Sequence, residues 1–154
     1  MPRISTRGSL PTQGANPFLL FAAGALFKAV NTGRYLFVMR SQKSSYPSKF
    51  SLVGGKVHIN EDLLEGLTRE VVEELGFVPE IIKWIPFNKF TSQDGRFIYH
   101  SVLALTPREF IPNLNKENSG YAWVDLENPP KPLHPRLKEV LSSSMLVDCI
   151  KKFK

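Results

Sequence analysis

The 154-residue sequence contains one cysteine, Cys149, three histidines and two tryptophans. A lone cysteine excludes an intrachain disulfide. With the histidines scattered at positions 58, 100 and 134, it also argues against a cysteine-based zinc site. Long apolar runs are missing as well. The most hydrophobic stretch, FLLFAAGALF at 18–27, is only ten residues long, against the roughly 20 that a membrane-spanning helix needs. It follows a mildly basic start containing Arg3 and Arg7, the order found in a secretory leader. Continued through Lys28 to Val30, it reads better as a buried strand. A cytoplasmic protein with no membrane partner is the expectation. Internal repeats and a second domain boundary are absent too.

What is present is an ordinary globular composition, 42% hydrophobic and 22% charged, with a net charge of +6. A single domain of this length can bury a real core. The positive charge permits attraction to phosphorylated molecules, nucleic acid or anionic lipid and selects none of them. Aromatic and basic residues are not interleaved as they are in single-strand binding platforms, so nucleic acid is not the expected partner. Exposed strands or the N-terminal arm are compatible with a homodimer.

Residues 1–17, with three prolines and two glycines, read as an arm or tail preceding one domain at 18–154. A strand over 18–30 turns at Asn31-Thr32-Gly33 into RYLFVMR, a hairpin. Short strands follow at 50–52 and 56–58. A helix is expected from Glu61 to Leu75, with Asn60 as N-cap and Gly76 just beyond its end. Further strands are expected at 80–90, 96–105 and 121–126, and a last helix at 136–151. Several strands around two helices indicate an α/β sandwich with a mixed sheet.

One stretch sets chemistry apart from structure. GGKVHINEDLLEGLTREVVEELGF, residues 54–77, gathers six acidic side chains in a chain that is basic overall. At about 100° per residue, Glu70, Glu73 and Glu74 share an arc of roughly 100°, beside the apolar arc of Leu64, Leu67, Val71 and Leu75. Like charges at this spacing cost a few tenths of a kcal/mol each. Arg69 and the Glu65–Arg69 pair soften that repulsion, and a solvated acidic face is the plain alternative. A divalent cation reverses its sign, and hard oxygen donors suit Mg²⁺ or Mn²⁺.

The same stretch resembles the Nudix box, G-x5-E-x7-R-E-U-x-E-E-x-G-U, where U is a bulky aliphatic or aromatic residue. Gly55, Glu61, Arg69, Glu70, Val71, Glu73, Glu74, Gly76 and Phe77 match it without a miss. Outside the box, RYLFVMRS and KFSLVGGK resemble the family's strand and loop leading into it, with Val53 standing where proline is frequent. The resemblance implies an α/β/α sandwich with a mixed sheet and a loop–helix–loop catalytic box. It implies Mg²⁺- or Mn²⁺-dependent hydrolysis of a pyrophosphate bond in a small nucleoside diphosphate derivative. Glu70 and Glu74 would be the central metal ligands, with Glu73 and the carbonyl of Gly55 completing the set. Arg69 and Glu61 would orient these carboxylates. Glu117, in the loop before YAWV, matches the family's added metal ligand or general base, and Asn118 stands where some nucleotide-sugar hydrolases carry histidine.

Substrate identity is less legible. Arg40, at the end of a strand aimed at the box, and Lys56, inside its loop, are the candidate phosphate contacts. Tyr46, Phe87 and Phe90 are candidates to stack on a base. Subgroups acting on ADP-ribose or dinucleoside polyphosphates often carry a marker proline or tyrosine some way past the box, where this chain reads TSQDGR. That favours a (deoxy)nucleoside triphosphate, with a nucleotide sugar of the GDP-mannose or ADP-ribose type as the alternative. A nucleotide-sensing module on the same fold would have lost box carboxylates, and here they are intact.

Overall fold

A computed structural model describes residues 19–154, so the proposed N-terminal arm lies outside the described residues. The apolar stretch is a strand, β1 (Leu20–Ala29), at the centre of a seven-stranded mixed sheet. Its side chains alternate between two cores. Phe21, Ala23, Ala25 and Phe27 face one, and Leu26 faces the other. Strands buried on both faces read as continuous apolar runs, which is why this segment mimics a leader. Among the described residues no helix is long and apolar enough to cross a membrane.

The remaining strands are β2 (Tyr35–Arg40), β3 (Phe50–Ser51), β4 (Val53–Val57), β5 (Lys83–Thr91), β6 (Phe97–Thr106) and β7 (Asn118–Val124). β6 runs parallel to β1 along its whole length. The other edge of β1 is shared by two strands. β4 pairs antiparallel with Phe21–Ala25, and β2 pairs with Phe27 and Lys28. β7 then pairs with β2, which brings Asn118 opposite Arg40 at a bulge. This splaying sets β4 and the start of β7 on either side of one opening.

Helix α1 (Leu63–Leu75) packs on one face through Leu63, Leu64, Leu67, Val71 and Leu75. On the other face lie α2 (Pro135–Ser142) and α3 (Ser144–Lys151), whose Leu137 and Ile150 pack against Tyr35, Phe37, Leu103 and Leu105. The architecture is therefore an α/β/α sandwich.

Several bounds differ from the sequence expectation: the strand expected at 56–58 is β4 (Val53–Val57), that at 121–126 is β7 (Asn118–Val124), and α1 starts at Leu63. The N-cap of α1 is Asp62, not Asn60. Asp62 accepts from the Glu65 backbone N–H at 2.8 Å, and the Glu65 carboxylate accepts from the Asp62 N–H at 3.2 Å. That reciprocal capping box satisfies two donors, whereas Asn60 sits in a left-handed turn with φ 74°. The last helix is broken in two at Ser143. Its backbone is extended, and its Oγ accepts from the Leu146 N–H to start α3. A serine run favours caps over helix interiors because its hydroxyls bond local backbone.

Candidate active site

The carboxylates of the box occupy graded positions on α1. Glu74 is 3% exposed and Glu70 8%, while the Glu73 side chain is about half exposed. The gradient follows the helical wheel, since Glu74 lies nearest the apolar arc and Glu73 farthest from it. Glu117, just ahead of β7, completes a cluster with Glu70 and Glu74 in which one carboxylate oxygen from each lies within 4.8 Å of the others. Glu73 stands outside this cluster.

Each oxygen of Glu74 accepts one hydrogen bond. The Gly54 N–H donates to Oε2 at 3.0 Å and the Asn118 Nδ2 donates to Oε1 at 2.6 Å. Even so, burial pushes the Glu74 carboxyl up to about 8, with the Glu70 and Glu117 charges adding to the effect. Burial also raises Glu70, against the opposing pull of Arg69. Buried negative charge concentrated this way favours a cation. The donor set is hard oxygen throughout and fits Mg²⁺ or Mn²⁺.

Arg69 ties the box together. Its Nε and Nη2 donate to Glu61 at 2.7 and 3.1 Å, its Nη1 to Glu70 and Glu73 at 3.1 and 3.2 Å, and its Nη2 also to the Lys56 carbonyl at 2.8 Å. This planar fork joins the loop to the helix and holds Glu61 below its ordinary value. Gly55 is required by packing. A Cβ there would lie 2.6 Å from the Glu70 Cδ, and one at Gly54 would lie 2.0 Å from the Ala23 carbonyl oxygen. Bare backbone lets β4 lie against both the carboxylate and the sheet. Gly66 has a plainer role, since its added Cβ would press on Val57 at 3.0 Å.

Beside the cluster opens a cleft of about 700 Å³, whose lining includes Glu70, Glu117, Gly55, Lys56 and Arg40. Arg40 also ties down the 41–49 loop, donating from Nε to the Ser45 carbonyl and from Nη2 to the Ser45 Oγ. Of the stacking candidates, Tyr46 and Phe90 line the cleft, whereas Phe87 packs against the core under α2 and α3. The structure also brings to the site residues to which sequence reasoning assigns no such part. Asn118 had been noted only by position, and its bond to Glu74 spans 44 residues. His134 and Arg136, at the start of α2, also line the cleft.

A family model for the NUDIX domain matches residues 20–143. The chain belongs to the Nudix family. The nucleoside triphosphatase NudI of Escherichia coli is 30% identical over 109 residues, covering 64% of this chain and 77% of that protein. Among solved structures, a MutT Nudix hydrolase from Burkholderia pseudomallei superposes with a TM-score of 0.65 and 22% identity, over 81% of this chain and 97% of that one. An Ap4A hydrolase from C. elegans superposes with a TM-score of 0.59 and 17% identity, over 88% and 95% of the two chains. The structural likenesses carry the fold. With the family match and the intact box, this Nudix protein is a pyrophosphohydrolase.

Proposed function

We propose that the chain hydrolyses a pyrophosphate bond of a (deoxy)nucleoside triphosphate with the help of Mg²⁺ or Mn²⁺. The observation that carries this reading is the convergence of Glu70, Glu74 and Glu117 oxygens within 4.8 Å at the edge of a nucleotide-sized cleft. These three residues would hold the ion, with the Gly55 carbonyl as a further donor and Glu73 at the rim. A bound divalent cation neutralises polyphosphate charge and makes water more acidic.

The chain's own residues supply the rest. Arg69 and Glu61 fix the box loop against α1, so the carboxylates hold their places without a ligand. Gly54 and Asn118 orient Glu74, and each of its oxygens keeps a free lone pair. Arg40 and Lys56 line the path on which phosphates would lie. Glu117 sits on a loop and is exposed, placed to take the proton of an attacking water. As the water oxygen bonds to phosphorus, the bridging P–O bond breaks and its electron pair leaves with the departing phosphate. The triphosphate reading draws on the NudI relative and on the absence of a marker residue in TSQDGR.

A chromatographic assay that resolves the nucleotide products, run over nucleoside triphosphates, dinucleotides and nucleotide sugars, tests this. Metal-dependent turnover of triphosphates is expected. Robust turnover in excess chelator, or activity confined to nucleotide sugars, would overturn it.

A further inference from the structure

Another part of the cleft lining, at the start of α2, has a chemistry unlike that of the carboxylate cluster. The Arg136 guanidinium lies over two aromatic rings, 4.4 Å from the Phe90 centroid and 4.8 Å from that of Phe97. No carboxylate pairs with it among the described residues. A guanidinium held by cation–π attraction still has N–H groups to donate to another acceptor. Beside it, the His134 Nδ1 accepts from the Arg136 backbone N–H at 3.2 Å and caps α2. An imidazole whose Nδ1 accepts must carry its proton on Nε2 when neutral. Burial and the charges of Arg136, Arg40 and Lys49 push His134 down to about 4, so the neutral ring prevails near pH 7.

His134 is held in place from two sides. Its backbone N–H donates to the Phe50 carbonyl at 2.8 Å. The Tyr46 ring packs on the imidazole with centroids 4.3 Å apart, from a backbone in the left-handed region at φ 51°. The loop bearing Tyr46 also reaches Glu117, where the Ser41 N–H and the Ser44 Oγ donate to the Glu117 carbonyl at 2.9 and 2.8 Å. One loop therefore touches both His134 and the backbone of Glu117. With phosphates beside the Glu70–Glu74–Glu117 cluster, the aromatic lining is left for the nucleoside.

Resting on the nucleotide reading of this cleft, we infer that His134 and Arg136 form a base-selective subsite for a nucleobase with a keto edge. With the His134 Nδ1 already engaged by the Arg136 N–H, both side chains have only donors left to offer. Guanine presents two acceptors side by side, O6 and N7, and uracil or thymine presents O4. Adenine and cytosine place an amino donor at the corresponding position, where it would face another donor. Tyr46 and the Phe90–Phe97 pair supply the apolar walls against which a flat base packs. Guanine, with two adjacent acceptors, fits best.

Two measurements on the full chain test this. The first is kcat/KM for GTP, UTP, ATP and CTP. The second is equilibrium binding of GMP, UMP, AMP and CMP, which have no pyrophosphate to cleave. GTP and UTP are expected to exceed ATP and CTP by about tenfold, the scale of one net hydrogen bond. His134→Asp keeps an N-cap but exchanges the donor for an acceptor, and should erase or invert the preference. His134→Asn keeps both cap and donor, and should retain it. Melting curves establish that each variant is folded.

Equal values for all four bases, a preference for ATP and CTP, or a parental preference in folded His134→Asp would overturn the inference. So would an Arg136→Ala variant that weakens all four bases equally, since that marks a phosphate contact. Turnover without base preference removes the subsite alone. Keto-selective monophosphate binding without turnover of any triphosphate removes the proposed hydrolysis and leaves the subsite standing.

Discussion

Beside the cleft, Glu70, Glu73, Glu74 and Arg69 come from a single helix, with Glu61 in the loop just before it. Within it, Tyr46, Phe90, Phe97, His134 and Arg136 come from four separate segments: the 41–49 loop, β5, β6 and the start of α2. The first group gathers carboxylates against their own repulsion, which a bound cation would relieve. The second collects neutral and cationic donors over aromatic rings, where a flat, acceptor-bearing group fits. Helical periodicity writes the first into the sequence. The second exists only once distant strands have assembled, so no spacing rule announces it.

The contrast is broken most severely at the buried member of the acidic group. Glu74→Gln keeps the side chain's shape and removes its charge, so kcat should fall by orders of magnitude while the melting profile of the metal-free protein stays cooperative. Steady-state kinetics beside circular dichroism would check both halves. Glu117→Gln, on the loop rather than the helix, should lower kcat by roughly 10²–10⁴ with little change in KM, the range for a lost acid–base group. Lys116→Ala next to it should do much less. Asn118→Ala removes the donor that orients Glu74 and should weaken Mn²⁺ affinity about 10–100-fold, as loss of a ligand's supporting hydrogen bond does. Equilibrium dialysis would read it, and unchanged affinity would make Asn118 a packing residue.

A smaller effect sharpens the electrostatics. Glu74 has its carboxyl raised from 4.5 to about 8, so between those values the metal-free folded state holds a proton that the unfolded chain has released. Stability from this group is full below about pH 4.5, falls as pH rises, and is lost by about pH 8. Denaturant titrations of metal-free protein should show the loss, on the order of a few kcal/mol. Glu74→Gln should flatten that part of the profile. Parallel profiles in parent and variant would mean that Glu74 is ionised in the apo fold throughout.

Much of the fold was legible because its signals are local. The hairpin at Asn31-Thr32-Gly33, the apolar arc of α1 and the two-sided burial of β1 each follow from neighbours in sequence. The N-cap was misplaced because Asn60 and Asp62 both suit the role, and only the partner at Glu65 decides between them. The break at Ser143 was missed because apolar spacing continues across it. In the site, the helix edge and the glycines of β4 could be read directly, whereas the Asn118–Glu74 bond and the His134–Arg136 pair depend on strand pairing far along the chain. His134 illustrates the limit. As a lone histidine in a proline-rich spacer it carried no signal, and its meaning comes from what caps, covers and surrounds it.

The central claim is that the metal site joins the box helix to the loop before β7, rather than residing in the helix alone. Mn²⁺ binding to the parent, Glu117→Gln and Glu73→Gln, measured by equilibrium dialysis, tests this most directly. Glu117→Gln should weaken binding by at least about tenfold, and Glu73→Gln, half exposed and paired with Arg69, should change it little. Unchanged affinity in Glu117→Gln with a large loss in Glu73→Gln would contradict the claim and return the ion to the outer face of the helix.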